Sequence, residues 1–354
     1  MKKLIAMLLA LTLMLSLCAV AESGTDDDRP TDLTFGTLSM LNMTEEEYQA
    51  LIFARLLIVR RLGLIGPSEG RPDNPPTGGP EINIVYYDTL DALLMALNAG
   101  DINNIEIYKS VARYLCAAND NLRIGTSFEA DKASETLAAE LQNGINGNDF
   151  AFLMMEDNAA LRDEFNAAIE AMKADGTLDK LVKEQIDDLI DGGEIAPIEL
   201  PKIDGAETVK VAVTGALPPM DYVAADGTPA GFNTAVLAEI GNRTGKNIEL
   251  VVVDSLGRAA ALASGTVDAV FWTRTSSKVQ ERAAMTEAER EAVKAGDRAS
   301  MTEEEIALMN EVSENIDFLA YARSDMPEGT IVTEPYFSDV LVPVMLAGGG
   351  PQGK

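Results

Sequence analysis

The stretch GALPPMDYVAADGTPAGFN, from Gly215 to Asn233, holds the side chains best suited to grip a small molecule. Pro218-Pro219 fixes the backbone and lowers the entropy cost of keeping a site in shape. Tyr222 and Phe232 offer ring faces on which a cationic group can sit. A turn at Asp226-Gly227 leaves backbone amides for polar groups. The bland reading is that the prolines shape a turn and the rings fill a core. The loop follows a strand and precedes a helix, which is where ligands bind in open α/β sheets.

Other chemistry is excluded by what the chain lacks. There is no histidine among its 354 residues. That removes the usual general base near neutral pH, the commonest metal ligand and every Ser-His-Asp or Cys-His arrangement. Only Cys18 and Cys116 could offer thiolates, too few for a zinc site of that kind. Carboxylates are abundant, but no pair is singled out by spacing, and neither GTSFEADKA nor TEEEIALMNEV has calcium-loop spacing. No cofactor, metal site or enzymatic step is expected. With 28 basic and 57 acidic residues the formal net charge is −29. Such a field repels phosphate backbones and anionic membrane surfaces, so nucleic acid is not an expected partner.

The N-terminus, MKKLIAMLLALTLMLSLCAVAESG, has the pattern of a secretory signal. Lys2 and Lys3 precede an apolar core, Leu4 to Leu17, and Ala19-Val20-Ala21 supplies a small-x-small site before Glu22. The rivals are an anchor helix, for which the run is short, and acylation at Cys18, where Leu17 is a poor neighbour. A secreted or extracytoplasmic product is expected, with no transmembrane span after residue 21. Cys116 then has no partner for an internal disulfide and is expected as a buried small hydrophobe.

The remaining elements are ones that could position a site. Residues 22–32 are an acidic, flexible leader. LTFGTL is a short strand, and a helix capped at Thr44 runs to about Gly63. Residues 66–80 are rich in proline and glycine and break any regular element. INIVYY, TLDALLMALNAG and INNIEI read as strand, helix and strand. SVARYLCAAN reads as a helix and DFAFLMM as a strand. Residues 158–193 form two helices broken at Asp175-Gly176, with Thr177 as a cap. A proline-bearing linker covers 193–206. The second half repeats the alternation: TVKVAVTG, the quoted loop, NTAVLAEIGNRTGK, NIELVVV, SLGRAAALASG and VDAVFW. Residues 278–312 are charged and helical, IDFLAYA and VLVPVMLA are strands, and 348–354 form a tail. Alternating strands and helices argue for parallel α/β sheets.

The chain also repeats itself. VYYDTLDALLMALNAGDINNI and VVVDSLGRAAALASGTVDAV share an Asp-Thr/Ser cap, a helix, and an exit of glycine, a hydrophobic residue and Asp or Asn. Asp88 matches Asp254, Gly100 matches Gly265, and Asn103 matches Asp268.

Residues 207–271 resemble the bacterial extracellular solute-binding proteins of family 3, amino-acid receptors of ABC importers. The resemblance rests on Pro218-Pro219-Met220-Asp221-Tyr222, Asp226-Gly227, Gly231-Phe232-Asn233 and Gly265-Thr266-Val267-Asp268, with Thr333-Glu334-Pro335-Tyr336 further on. In the first half, Leu161, Asn166, Asp175, Gly176 and Thr177 resemble the family's closing helices. The resemblance implies that Pro219, Tyr222 and Phe232 wall a ligand whose carboxylate meets an arginine. Arg282 is the nearest match, although more distant from Asp268 than the pattern has it, and Arg274 is its rival. Asp268 belongs to the same set.

The departures are as informative. Asn233 replaces an aspartate of the pattern, and SMLNMTEEEY stands in the first half in place of the proline loop. The family's second lobe is inserted between its central strands and its closing helices. The segment from Glu106 to Phe150 is too short for that lobe, and the second half stops soon after Met345. The sequence therefore predicts type II periplasmic-binding-protein-like lobes in tandem, at 33–192 and 207–347, each lacking a complete second lobe. The function expected is binding of a small polar solute, most simply an amino acid, with an ABC permease as partner. The alternative is a degenerate fold acting as a secreted interaction or scaffold module.

Overall fold

The computed structural model describes residues 32–41, 43–45, 48, 81–125, 147–193, 198–224, 227–254, 257–275 and 327–347, with isolated positions between 286 and 310. The signal, the leader before Asp32, Cys18, most of the 44–63 helix, the IDFLAYA strand, Arg282 and the tail lie outside the described residues.

The first segment carries β1 (Asp32–Leu38), β2 (Glu81–Tyr87), α1 (Leu90–Ala99), β3 (Asn104–Tyr108), α2 (Lys109–Ala118) and β4 (Leu122–Ile124). The sequence sets α1 closely. The Thr89 hydroxyl accepts from the Ala92 amide, and Gly100 ends the helix at φ 80°, donating back to Ala96 and Leu97. Both devices satisfy end groups that the helix itself leaves unpaired. Leu90, Leu93, Ala96 and Leu97 lie on one stripe and are buried, as 3.6-residue periodicity requires. Cys116 in α2 is half-buried against the core, more open than expected, and burial raises its pKa.

β5 (Gly147–Met155) follows, then α3 (Ala159–Ala174) and α4 (Thr177–Val182), which continues through a π turn, Lys183–Asp187, to Ile190. The break falls at Gly176, φ 78°. The cap there differs from expectation. Thr177 is the first helical residue, and the Asp175 carboxylate accepts from its amide and hydroxyl at 3.0 and 2.6 Å.

Beyond residue 198 come β6 (Thr208–Val213), the small strands β7 (Ala216–Leu217), β8 (Asp221–Val223) and β9 (Pro229–Ala230), and α5 (Phe232–Thr244). Next are β10 (Asn247–Val252), α6 (Gly257–Ala263), β11 (Ala269–Thr275), β12 (Thr330–Val332) and β13 (Phe337–Leu346).

Ten strands form one sheet in the order β10-β6-β11-β5-β13-β3-β1-β2, with β12 on β5 and β4 on β13. Two sets of three are parallel, β10-β6-β11 and β2-β1-β3. β5 runs antiparallel to β11 of the one set, β13 antiparallel to β3 of the other, and β5 and β13 antiparallel to each other. We call β1–β4 with the end of β13 the first lobe, and β6, β10, β11, β12 with β5 the second. Strands from both sides of residues 193–206 thus alternate in a single sheet. Sequence divides the chain into two units there, whereas in the structure the sheet of each unit continues into the other.

Register fixes which edges meet. Residues 147–150 of β5 pair with 337–340 of β13, and this pair is the crossing between the lobes. Tyr108, at the C-terminal end of β3, pairs with Leu341, one step beyond the crossing. Thr275, at the C-terminal end of β11, pairs with Asp149 inside it. The carboxyl ends of both parallel sets therefore point at the crossing from opposite sides. A column of rings fills the sheet there. Tyr108 meets Phe150 edge-on at 4.8 Å, Phe232 lies 4.9 Å from Phe337, and Tyr336 stacks on Phe152 at 4.6 Å. Burial of such a side chain contributes roughly 2–3 kcal/mol each.

Candidate functional site

The Gly215–Asn233 loop sits at the carboxyl end of β6, on the crossing side. Its Pro218-Pro219 peptide is cis. The loop caps the start of α5. The Phe232 amide donates to the Pro219 carbonyl at 3.0 Å, and the Asn233 amide to the Met220 carbonyl at 2.8 Å. Two of the amides that a helix start leaves unpaired are thereby used, and with them much of its pull on an anion. Gly231 makes this close approach possible. Its φ is 101°, and a Cβ there would stand 2.6 Å from the Met220 carbonyl oxygen and 2.8 Å from that of Pro219.

The loop holds one buried charge and lies near a second. The Asp221 carboxylate is 2% exposed. It accepts from the Gly215 amide at 2.6 Å, and from the Thr214 amide and hydroxyl at 2.9 Å. Burial nonetheless pushes its pKa up to about 7, against those hydrogen bonds and the field of Arg258. Arg258, at the start of α6, is buried too. Its guanidinium lies 5.4 Å from the Phe271 ring centre and donates to the Phe271 carbonyl. Burial lowers its pKa to about 10, opposed by Asp221. Beside this pair, the Asn233 Oδ1 accepts from the Tyr336 hydroxyl at 3.0 Å, while its Nδ2 is buried without a partner.

The predicted site residues fall into three groups. Tyr222 is half-buried on β8, its pKa raised by burial and then by the Tyr114 hydroxyl of α2. Arg274 is half-buried near the end of β11, opposite Phe150 at the crossing. These two share one edge. Pro219 and Phe232 are buried, Phe232 completely, inside the ring column and under the loop. They support that edge and present no open face to a ligand. Asp268 stands apart. It precedes β11, at the opposite end of the strand, where its carboxylate accepts from the Lys210 amide and its own amide donates to the Lys210 carbonyl, both at 2.8 Å.

Sequence reading passed over Asp221 and Arg258. An arginine set into GRAAALA was the available signal, because every neighbour is small and apolar. It also passed over the first lobe's edge. There Thr37 bonds the Tyr48 hydroxyl at 2.5 Å, and Asp339 accepts from the Ser110 amide at the start of α2 at 3.1 Å. Burial raises the pKa of Asp339 to about 6. Among the described residues no group of three or more acidic, thiol or imidazole side chains could hold a metal ion. No helix among them is long and apolar enough to cross a membrane.

Residues 209–320 match the model of the bacterial extracellular solute-binding proteins, family 3. No curated protein matches the chain. Solved structures show a distant likeness. The ligand-binding component of an ABC-type import system from Staphylococcus aureus, with zinc bound, is 9% identical, covering 89% of this chain and 65% of its own, with a TM-score of 0.34. The alkanesulfonate-binding protein of Xanthomonas axonopodis pv. citri, bound to MOPS, is 13% identical over 69% of this chain and 55% of its own, TM-score 0.29. A phosphate-binding protein of a Streptococcus pneumoniae phosphate ABC transporter is 10% identical over 89% of each chain, TM-score 0.33. The chain thus spans less than two thirds of the length of the first two. At these identities and TM-scores no ligand carries across. The matched segment and the topology together give a type II periplasmic-binding-protein-like α/β fold.

Proposed function

We propose that this protein binds a small polar solute outside the cytoplasm, most simply an amino acid, for ABC-type uptake. The observation that carries the reading is the convergence of strand ends: β3 and β11 both point their carboxyl ends at the β5–β13 crossing. Ligands of open α/β sheets lie beyond such ends. Between them, the half-buried Tyr222 supplies a ring face and Arg274 a bidentate partner for a carboxylate. Arg282 is the other arginine proposed for that role. No chemical step is assigned, and the permease partner follows from the reading of the fold alone.

A binding assay with the twenty amino acids tests this. Tyr222→Ala is expected to weaken the best ligand about tenfold, through loss of a ring contact worth roughly 1–2 kcal/mol. An unchanged affinity in Tyr222→Ala and in both Arg274→Ala and Arg282→Ala would defeat the assignment. One observation favours the second reading, a protein-interaction module. Val223 and Val252 are 52% and 65% exposed and flank Gly215 at the same edge. Solute binding by the intact chain would leave that reading without support.

A further inference from the structure

We infer that residues 32–193 and 207–346 are complementary parts of one two-lobed receptor whose segments run in permuted order, so that residues 32–125 form the second wall of the cleft. The placement of this wall rests on the function proposed above. The mutual completion of the two segments does not.

Three sets of contacts carry the inference. The first is the crossing. β13 leaves the second lobe at Phe337, pairs with β5, and finishes in the first lobe against β3 and β4. The second is the back of the second lobe. α3 and α4, from the first segment, pack on α5 from the second. Arg243 of α5 pairs with Asp175 at 2.9 Å and bonds the Thr177 hydroxyl at 3.0 Å, and Lys246 pairs with Glu164 at 3.2 Å. The third is the entry to β13. The Glu334 amide donates to the Asn166 side chain of α3 at 2.7 Å, and Thr333 exchanges bonds with the Phe152 backbone at 3.0 Å. Separating the two segments would leave each with an unfinished sheet. Unpaired strand edges and bare apolar faces do not persist in isolated domains.

Connectivity supports the same conclusion. Val344 of β13 pairs with Ile105, and Ile105 with Gly36 of β1. Two strand spacings, about 10 Å, therefore separate the end of the last strand from β1. The match to the solute-binding family begins at residue 209, close to the start of β6. A chain read from β6 to β13, then across that short gap to β1, and on to α4 would build the same body without crossing 193–206. The further lobe and closing helices that residues 207–346 lack by themselves are then the first lobe and the helices α3 and α4, which residues 32–193 hold.

The test is a protease site inserted between Asp204 and Gly205, an exposed turn. The full-length protein is folded, cut, and run on a sizing column. The inference expects both pieces to co-elute at the size of the uncut protein and to part only in denaturant. Two separate, cooperatively folded pieces would overturn it. Should the insertion block folding, a second variant joins Ala347 to Asp32 by about six Gly/Ser residues, which span up to about 20 Å, and opens the chain at 204/205. It is expected to unfold cooperatively with a midpoint within a few degrees of the parent. A variant that unfolds in two independent steps would contradict it. Neither readout needs a solute. Intact association without any ligand binding would therefore refute the proposed function and leave this inference standing.

Discussion

The two lobes share a frame and differ at their edges. In the first lobe the Asn103 side chain accepts from the Thr34 amide at 2.8 Å, and the Asn103 amide returns a bond to the Thr34 carbonyl at 2.8 Å. In the second lobe Asp268 does the same with Lys210, at the same distances. Each lock ties the outgoing strand to the central one, at the end away from the crossing. At the crossing end the likeness stops. The second lobe has a three-stranded hairpin, a buried Asp221 and a buried Arg258. The first has a 3-10 turn, Ser39–Leu41, and a Thr37–Tyr48 bond. What is common is needed for the sheet. What differs lies where a ligand would be met, so the candidate site is better sought in Tyr222 and Arg274 than in the shared Asp268.

Substitutions can break this contrast at either end. The largest effect is expected at Gly231, which belongs to the second lobe's edge alone. Gly231→Ala adds a Cβ against two carbonyl oxygens at a left-handed φ, and should cost roughly 3–5 kcal/mol or prevent folding. Chemical denaturation measures it.

Asp221 comes next, and its effect depends on pH. Its folded pKa of about 7 lies above the ordinary carboxyl value of 3.8, so the folded state holds the proton more tightly. The stabilisation is complete below pH 4 and is lost as pH rises through 7. At about 1.4 kcal/mol per unit this amounts to roughly 4 kcal/mol. Asp221→Asn should flatten the fall in melting temperature between pH 4 and pH 7 relative to the parent. Asp339, raised to about 6, acts in the same direction over pH 4 to 6.

Tyr336→Phe removes the bond to Asn233 and leaves a buried acceptor unpaired. A loss of about 1–3 kcal/mol is expected. The smallest effects test the shared frame. Asn103→Ala and Asp268→Ala should each cost about 1–2 kcal/mol, the aspartate more because its bond is charge-assisted. Neither should change solute affinity. A selective loss of affinity in Asp268→Ala would return that residue to the site.

Much of the frame is legible in the sequence because local chemistry sets it. Thr89 and Gly100 bracket α1 by a side-chain acceptor and a left-handed glycine, and both leave a mark in residue type. The break at Asp175-Gly176 is legible for the same reason. The assembly of the sheet is not. β13 meets β3 and β5 across most of the chain, through main-chain bonds that any residue could make. The same limit hides the use of the proline loop. Pro219 and Met220 cap α5 with their carbonyls, and a carbonyl carries no residue identity. The loop is visible as a motif, while its Pro219 and Phe232 turn out to face inward, the bland alternative that composition alone left open, and only Tyr222 keeps part of its ring exposed. The position of Asp268 could have been read. It precedes its strand, and so belongs to the amino end.

The central claim is that the cleft between the facing strand ends takes a small polar solute. Thermal unfolding of the purified full chain against a panel of amino acids and small polyamines tests it most directly. A solute that binds only the folded state raises the midpoint by mass action. The account predicts a saturable rise with one chemical class that shrinks in Tyr222→Ala. A cooperative melt whose midpoint no member of the panel moves would contradict it and favour the interaction-module reading.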